Sequence, residues 1–275
     1  MMGGKKYMKD RKRIRIIKAA LLVIMVLCLI PVVQSCCLSV LHERQERELR
    51  TLREEGSMET AEESEEGDAV EGSTEAFQAS PETSAKWKEL YSQNNDLVGW
   101  LTIDGTGIDY PVMQCEDDEY YLHHNFNREE DKYGCLYVKH IADVDTPGTN
   151  FIIYGHHMKD DSMFGELDKY ESESFYKEHR KISFETFKEG RVYEVMAAFR
   201  TDITEREGDS GFQYYQFYQA DTEEEFEDFY ENVRKLSIYD TGITAEFGDT
   251  FLTLSTCSSH TENGRFVVVA KQIRD

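Results

Sequence analysis

Hydrophobic and polar positions divide the chain into stretches of different character. From Ala19 to Leu41 the residues are uncharged and mostly Leu, Val, Ile and Ala, long enough as a helix to cross about 30 Å of hydrocarbon. His42 to about Glu55 is charged and rich in helix formers, so the spacing predicts a short juxtamembrane helix. Between Gly56 and Ser84 large apolar side chains almost vanish. A segment of Glu, Ser, Gly, Thr and Ala has too little apolar surface to offset its ordering entropy, so it is expected to be a disordered spacer.

Beyond Ser84 apolar residues return in patterned runs. Ser84 suits the N-cap of a helix that places Trp87, Leu90 and Tyr91 on one face, and Asn94, Asn95 and Asp96 end it. Strand-like runs follow at Val98–Ile103, Tyr110–Met113, Cys135–Val138, Asn150–Tyr154, Arg191–Phe199, Thr250–Leu254 and Phe266–Ile273, most of them separated by Gly, Asp, Asn or Pro. Thr222–Leu236 carries Phe226, Phe229, Tyr230, Val233 and Leu236 at helical spacing, and a shorter helix is expected at Ser162–Tyr170. Mostly strands with a few inserted helices predicts a mainly β fold, a barrel or sandwich, rather than alternating βαβ units.

Charge adds a direction. Lys5, Lys6, Lys9, Arg11, Lys12, Arg13, Arg15 and Lys18 precede the apolar run, and such a cluster stays on the cytoplasmic side, leaving the rest of the chain outside. The expected organisation is a basic cytoplasmic tail at 1–18, a transmembrane anchor at 19–41, a juxtamembrane segment and acidic linker at 42–84, and one catalytic domain at 85–275. A cleaved signal peptide or a lipoprotein signal around Cys36 are the competing readings; Gln34 fits a lipidation box poorly. The net charge of −23 over 275 residues excludes nucleic acid as a partner, because phosphate binding needs a basic face. Much of that acidity is local: no Lys or Arg occurs between Arg53 and Lys86.

Cysteine usage shows neither a disulfide framework nor zinc-ligand spacing. Cys115 and Cys135 flank a loop and form a candidate bridge in an oxidising compartment. Cys257 follows the apolar run Phe251–Leu254, so a strand end holds it, a placement that suits a nucleophile as well as a small buried residue. Arg265 opens the next strand across a short connection and can face it; a guanidinium there could hold a developing oxyanion. A thiol attacking an amide needs a proton acceptor, and the run Asn150–Tyr154 delivers Gly155, His156 and His157 to its end. On extended backbone the two histidines point to opposite faces, which with the absence of HExxH spacing argues against a metal.

These residues carry a resemblance. Thr253, Leu254, Ser255, Thr256 and Cys257 spell TLSTC, which resembles the TLxTC signature of the sortase family; Gly155 and His156 match its GH element, and Arg265 stands where its arginine does. YPVMQ at Tyr110–Gln114, NFIIYGHHM at Asn150–Met158, SMFGEL at Ser162–Leu167 and VVVAK at Val267–Lys271 resemble class B. The resemblance runs from about residue 87 to 273. It implies a closed β-barrel of about eight strands with N-terminal helices and an inserted helix.

It also implies Cys257 as nucleophile, Arg265 as oxyanion stabiliser and His156, rather than His157, as acid/base group. Leu122, Ser255 and Thr256 match positions lining the family's substrate groove, ordinary core packing being the alternative for Leu122. Asp118 departs from the Asn of a relative, which puts sequence preference in doubt. The implied reaction is a cysteine transpeptidation through a thioester. Secreted proteins bearing a C-terminal NPxTN-like or SPxTG-like sorting signal are cut after Thr and joined to an amine of peptidoglycan or its lipid-linked precursor in a Gram-positive envelope. No metal or organic cofactor is required by that chemistry. A thiol endopeptidase with water as acceptor, and a non-catalytic surface receptor on a stalk, are the alternatives.

Overall fold

The structure, a computed structural model, describes residues 3–63, 81–202, 212–257 and 264–274, leaving aside the side chains of 3–17, 19, 20, 31, 32, 35, 56–63, 81–86 and 257. Helix α1 (Gly3–Glu63) carries the apolar run and the charged segment after it as one continuous helix. Among the described residues no helix is long and apolar enough to cross a membrane. Five side chains of the 19–41 stretch lie outside the described ones, and the large apolar ones seen, such as Leu21, Val26 and Leu41, are exposed. Residues 64–80, most of the expected acidic linker, lie outside the described residues; residues 56–63 continue α1, and α2 (Pro81–Gln93) begins three residues before Ser84. Two units separate at Leu49/Arg50, and the second holds the barrel.

Eight strands close that barrel in the order β1-β2-β3-β4-β7-β8-β6-β5. They are β1 (Leu97–Thr102), β2 (Asp109–Met113), β3 (Leu136–Tyr137), β4 (Asn150–Gly155), β5 (Lys181–Glu185), β6 (Gly190–Asp202), β7 (Phe251–Cys257) and β8 (Gly264–Gln272). Closure removes the unpaired edges on which an open sheet could aggregate. Strand β5 had no counterpart among the predicted runs: only Ile182 and Phe184 of its five residues are apolar, too few to stand out as an alternating pattern.

Alternation along the strands sorts two cores. Phe151 and Ile153 of β4, Leu252 and Leu254 of β7, and Phe266, Val268 and Ala270 of β8 face the barrel interior. Phe251, Val267 and Val269, of opposite parity, pack with Phe226, Phe229, Tyr230 and Val233 of α5 (Glu223–Leu236). Sheet covered on both faces reads as unbroken apolar sequence, which accounts for the VVVA run of β8. Helix α5 starts where its sequence says: the Thr222 side chain accepts from Glu225 N and the Glu225 carboxylate accepts from Thr222 N, a capping box. The helix expected at Ser162–Tyr170 is a 3-10 helix at Gly165–Glu171. Helices α3 (Tyr120–His123) and α4 (Glu173–Glu178) are too short for apolar periodicity to announce.

No disulfide joins Cys115 and Cys135, so the candidate bridge is not formed. Cys135 is buried, and the Cys115 thiol donates to the carbonyl of Asp117 at 3.2 Å. Leu254 is fully buried beneath the strand end that carries Cys257. Leu254→Ala is expected to cost about 3 kcal/mol of stability through lost burial and the cavity left behind, measurable as a lower denaturant midpoint of the full-length chain.

Candidate active site

The pairing of β4 with β7 is parallel, and its register runs from Asn150 opposite Phe251 to Gly155 opposite Thr256. The next residue on each strand is therefore His156 and Cys257, which emerge side by side from the same rim of the barrel. Strand β8 runs antiparallel to β7 and sets Arg265 opposite Cys257. Neighbouring strands lie about 5 Å apart, so three residues distant in sequence occupy adjacent register positions. Parity agrees: position 257 shares a face with Phe251, Thr253 and Ser255, position 265 with Val267 and Val269, and position 156 with Ile152 and Tyr154. A hydrogen bond of 2.6 Å from Thr253 Oγ1 to Asn150 Oδ1 ties β7 to β4 on that face.

Glycine before His156 lets two side chains pack close. A Cβ at Gly155 would stand 2.4 Å from Leu136 Cδ2 and 2.8 Å from Phe164 Cδ2, inside van der Waals contact. His156 is half-buried, and its Nε2 lies 2.7 Å from the carbonyl oxygen of Leu122. A carbonyl only accepts, so Nε2 carries the hydrogen and Nδ1 is left as the basic nitrogen. His157 turns the other way, its Nε2 3.1 Å from Asp168 Oδ2, an oxygen that Arg200 Nη2 also approaches at 3.3 Å. The two adjacent histidines thus have different surroundings: His156 follows β4 next to the end of β7, and His157 lies beside a carboxylate that Arg200 also approaches.

Arg265 is half-buried, and its Nη1 donates to Gly264 O at 2.9 Å. Ser255 and Thr256 are 2% and 1% exposed. The Ser255 hydroxyl is 2.7 Å from the Tyr214 hydroxyl. Thr256, of the parity of Leu252 and Leu254, is turned inward, its hydroxyl buried without a hydrogen-bond partner among the described residues. Leu122 is half-buried and reaches His156 through its backbone. Asp118 lies away from this set: its Oδ1 accepts from His140 N at 2.7 Å and lies 3.1 Å from the ring Nδ1.

Sequence reasoning missed Tyr154, Tyr214 and Tyr218. Burial, and then the neighbouring Tyr218, push the Tyr154 phenol well above its ordinary value, so it stays neutral beside the rim. The signal available for Tyr154 was its place at the end of the predicted run Asn150–Tyr154, two residues before His156. Tyr214 and Tyr218 lie in an irregular connection whose position no periodicity foretells. A cleft of about 940 Å³, lined by Trp87, Tyr91, Ile141, Val144 and Phe187, opens elsewhere. It is built from α2, the start of β1 and the loop entering β4, so it lies toward the end of β4 opposite His156.

A cysteine, a histidine and an arginine on adjacent strand ends of a closed eight-stranded barrel define a class of thiol-dependent acyl-transfer protein. Residues 101–273 match the sortase domain family. Sortase B of Listeria monocytogenes is 35% identical over 192 residues, covering 68% of this chain and 73% of that one. Among solved structures, sortase B from Bacillus anthracis in complex with AAEK1 aligns with a TM-score of 0.61 at 36% identity, covering 70% of this chain and 85% of that one. A Staphylococcus aureus sortase B–substrate complex aligns with a TM-score of 0.68 at 26% identity, covering 84% of this chain and 98% of that one. The chain belongs to the sortase family, and within it to class B.

Proposed function

We propose that this sortase cleaves a C-terminal sorting motif of the NPxTN or SPxTG kind after its Thr and transfers the acyl group to a peptidoglycan amine. The register that sets His156, Cys257 and Arg265 on neighbouring strand ends carries the reading. Cys257 passes its thiol proton to His156 Nδ1 as the sulfur attacks the threonyl carbonyl; the C–N bond then breaks and His156 hands that proton to the departing amine, leaving a thioester. The incoming amine then loses a proton to His156 as it attacks, and Cys257 leaves as the new amide forms. Arg265 hydrogen-bonds the carbonyl oxygen while it carries negative charge in both tetrahedral intermediates. The substrate-bound Staphylococcus aureus neighbour supports a peptide substrate for this fold. The apolar run at 19–41, with its basic N-terminal flank, supports a single-pass anchor with the catalytic domain outside the cell.

Full-length chain in detergent, incubated with motif peptides with and without an amine nucleophile, tests the proposal. Amide product formed at the expense of hydrolysis supports it. Hydrolysis unaffected by amine would make the chain an endopeptidase, and neither product nor thioester would leave a surface receptor. Arg265 provides a sharper test, because Lys keeps the charge and loses the planar fork. Arg265→Lys is expected to lower kcat on the order of a hundredfold, and Arg265→Ala further, with peptide affinity falling less in both. A large affinity loss at near-normal kcat would make Arg265 a substrate clamp.

A further inference from the structure

The carbonyl that receives His156 Nε2 belongs to α3, a single helical turn of four residues. Isolated turns of this length do not persist, so something else must hold it. Two sets of contacts do. On one side Tyr121, 1% exposed, donates its phenol to Asp96 Oδ2 at 2.7 Å and accepts from Asn94 Nδ2 at 2.9 Å. Asn94 also donates to Phe126 O at 2.7 Å, and Arg128 pairs with Asp96 at 3.1 Å. Burial first, then the bond to Asp96, push the Tyr121 phenol above its ordinary value, so it remains a donor.

On the other side the 131–135 segment closes over the C-terminal carbonyls of α3: Asp131 N donates to His123 O at 2.8 Å and Cys135 N to Tyr121 O at 2.9 Å. Gly134 makes that approach feasible. Its φ is +59°, and a Cβ there would stand 2.4 Å from Tyr121 O and 2.9 Å from Leu122 O. Both obstacles are backbone atoms, which cannot rotate aside as a side chain would. The second is the oxygen that receives His156.

We propose that Tyr121 and Gly134 are positioning residues for His156, holding the Leu122 carbonyl where it fixes the imidazole as the Nε2–H tautomer; this rests on the reading of His156 as the acid/base group. Both residues are buried, and they act on the ring only through the Leu122 carbonyl. With Nε2–H committed to a fixed acceptor, Nδ1 is the nitrogen that exchanges protons with the thiol and the two amines. If α3 loosens, the ring samples the Nδ1–H tautomer, which carries a proton where a lone pair is needed.

The test uses the full-length chain in detergent with ¹⁵N-labelled histidine, the His156 ring signals being assigned by their loss in His156→Gln. The native chain should show a single Nε2–H tautomer. Tyr121→Phe and Gly134→Ala should each show a mixture, and kcat for motif-peptide cleavage should fall roughly tenfold with KM nearly unchanged, in keeping with impaired general acid–base catalysis. A native Nδ1–H tautomer overturns the proposal, as does either change without the other. Should Gly134→Ala fail to fold, Tyr121→Phe decides by the same readouts. Tautomer state is read without substrate, so a native chain inert toward every motif peptide would sink the transpeptidase reading while the ring signals still decide this one.

Discussion

Cys257→Ala is expected to abolish thioester formation and transpeptidation together, lowering turnover by ~10³-fold or more while leaving the barrel folded. The scale follows from removing the atom that forms the covalent intermediate; whatever remains comes from binding and oxyanion stabilisation alone. The fold should survive because β7 is paired along its length by β4 on one edge and β8 on the other, and these backbone bonds do not depend on a sulfur. Mass spectrometry of the variant with motif peptide should find no acyl adduct, and thermal unfolding should match the native chain. Residual turnover within tenfold of native would remove Cys257 from the mechanism.

The second large effect separates the adjacent histidines. His156→Ala should lower kcat by ~10²- to 10⁴-fold, the usual loss of a general acid–base group. His157→Ala should leave most of the activity. His157 instead lies beside Asp168, a carboxylate that Arg200 also approaches. Its loss leaves that carboxylate with the arginine, so the expected change is in stability, by about 1 kcal/mol, rather than in kcat. Kinetics and denaturation measured on both variants check this. A reversed pattern, with His157→Ala inactive and His156→Ala active, would show that the GH resemblance chose the wrong side chain.

The parts of this fold legible in sequence are those whose hydrophobic pattern is long or strongly marked. Strands β4, β7 and β8 carry runs such as FIIY, FLTL and FVVVA because the barrel interior buries one face of each, while Phe251, Val267 and Val269 on the other face of β7 and β8 pack with α5. Helix α5 announces itself through both its apolar spacing and its capping box. Strand β5 and helices α3 and α4 were silent, since a five-residue strand with two apolar side chains and helices of four and six residues offer no period to read. The catalytic candidates were legible as types at strand ends, and TLSTC and GH made them a set. What stayed hidden is what no side-chain pattern encodes: the Leu122 carbonyl facing His156, and the Tyr214 hydroxyl reaching Ser255 across 41 residues.

The parallel pairing of β4 and β7 joins segments about a hundred residues apart. Contacts of such sequence separation carry a high loop-closure entropy and characterise slowly folding topologies. Cys257 and His156 consequently come together only when that pairing is made, and β7 and β8 are the last of the described strands in chain order. A partly folded polypeptide holds a thiol and an imidazole but no acyl-transfer site. Assembly of the candidate site is tied to completion of the barrel, so a chain whose last described strands are still unpaired has no means of acting on the proteins around it.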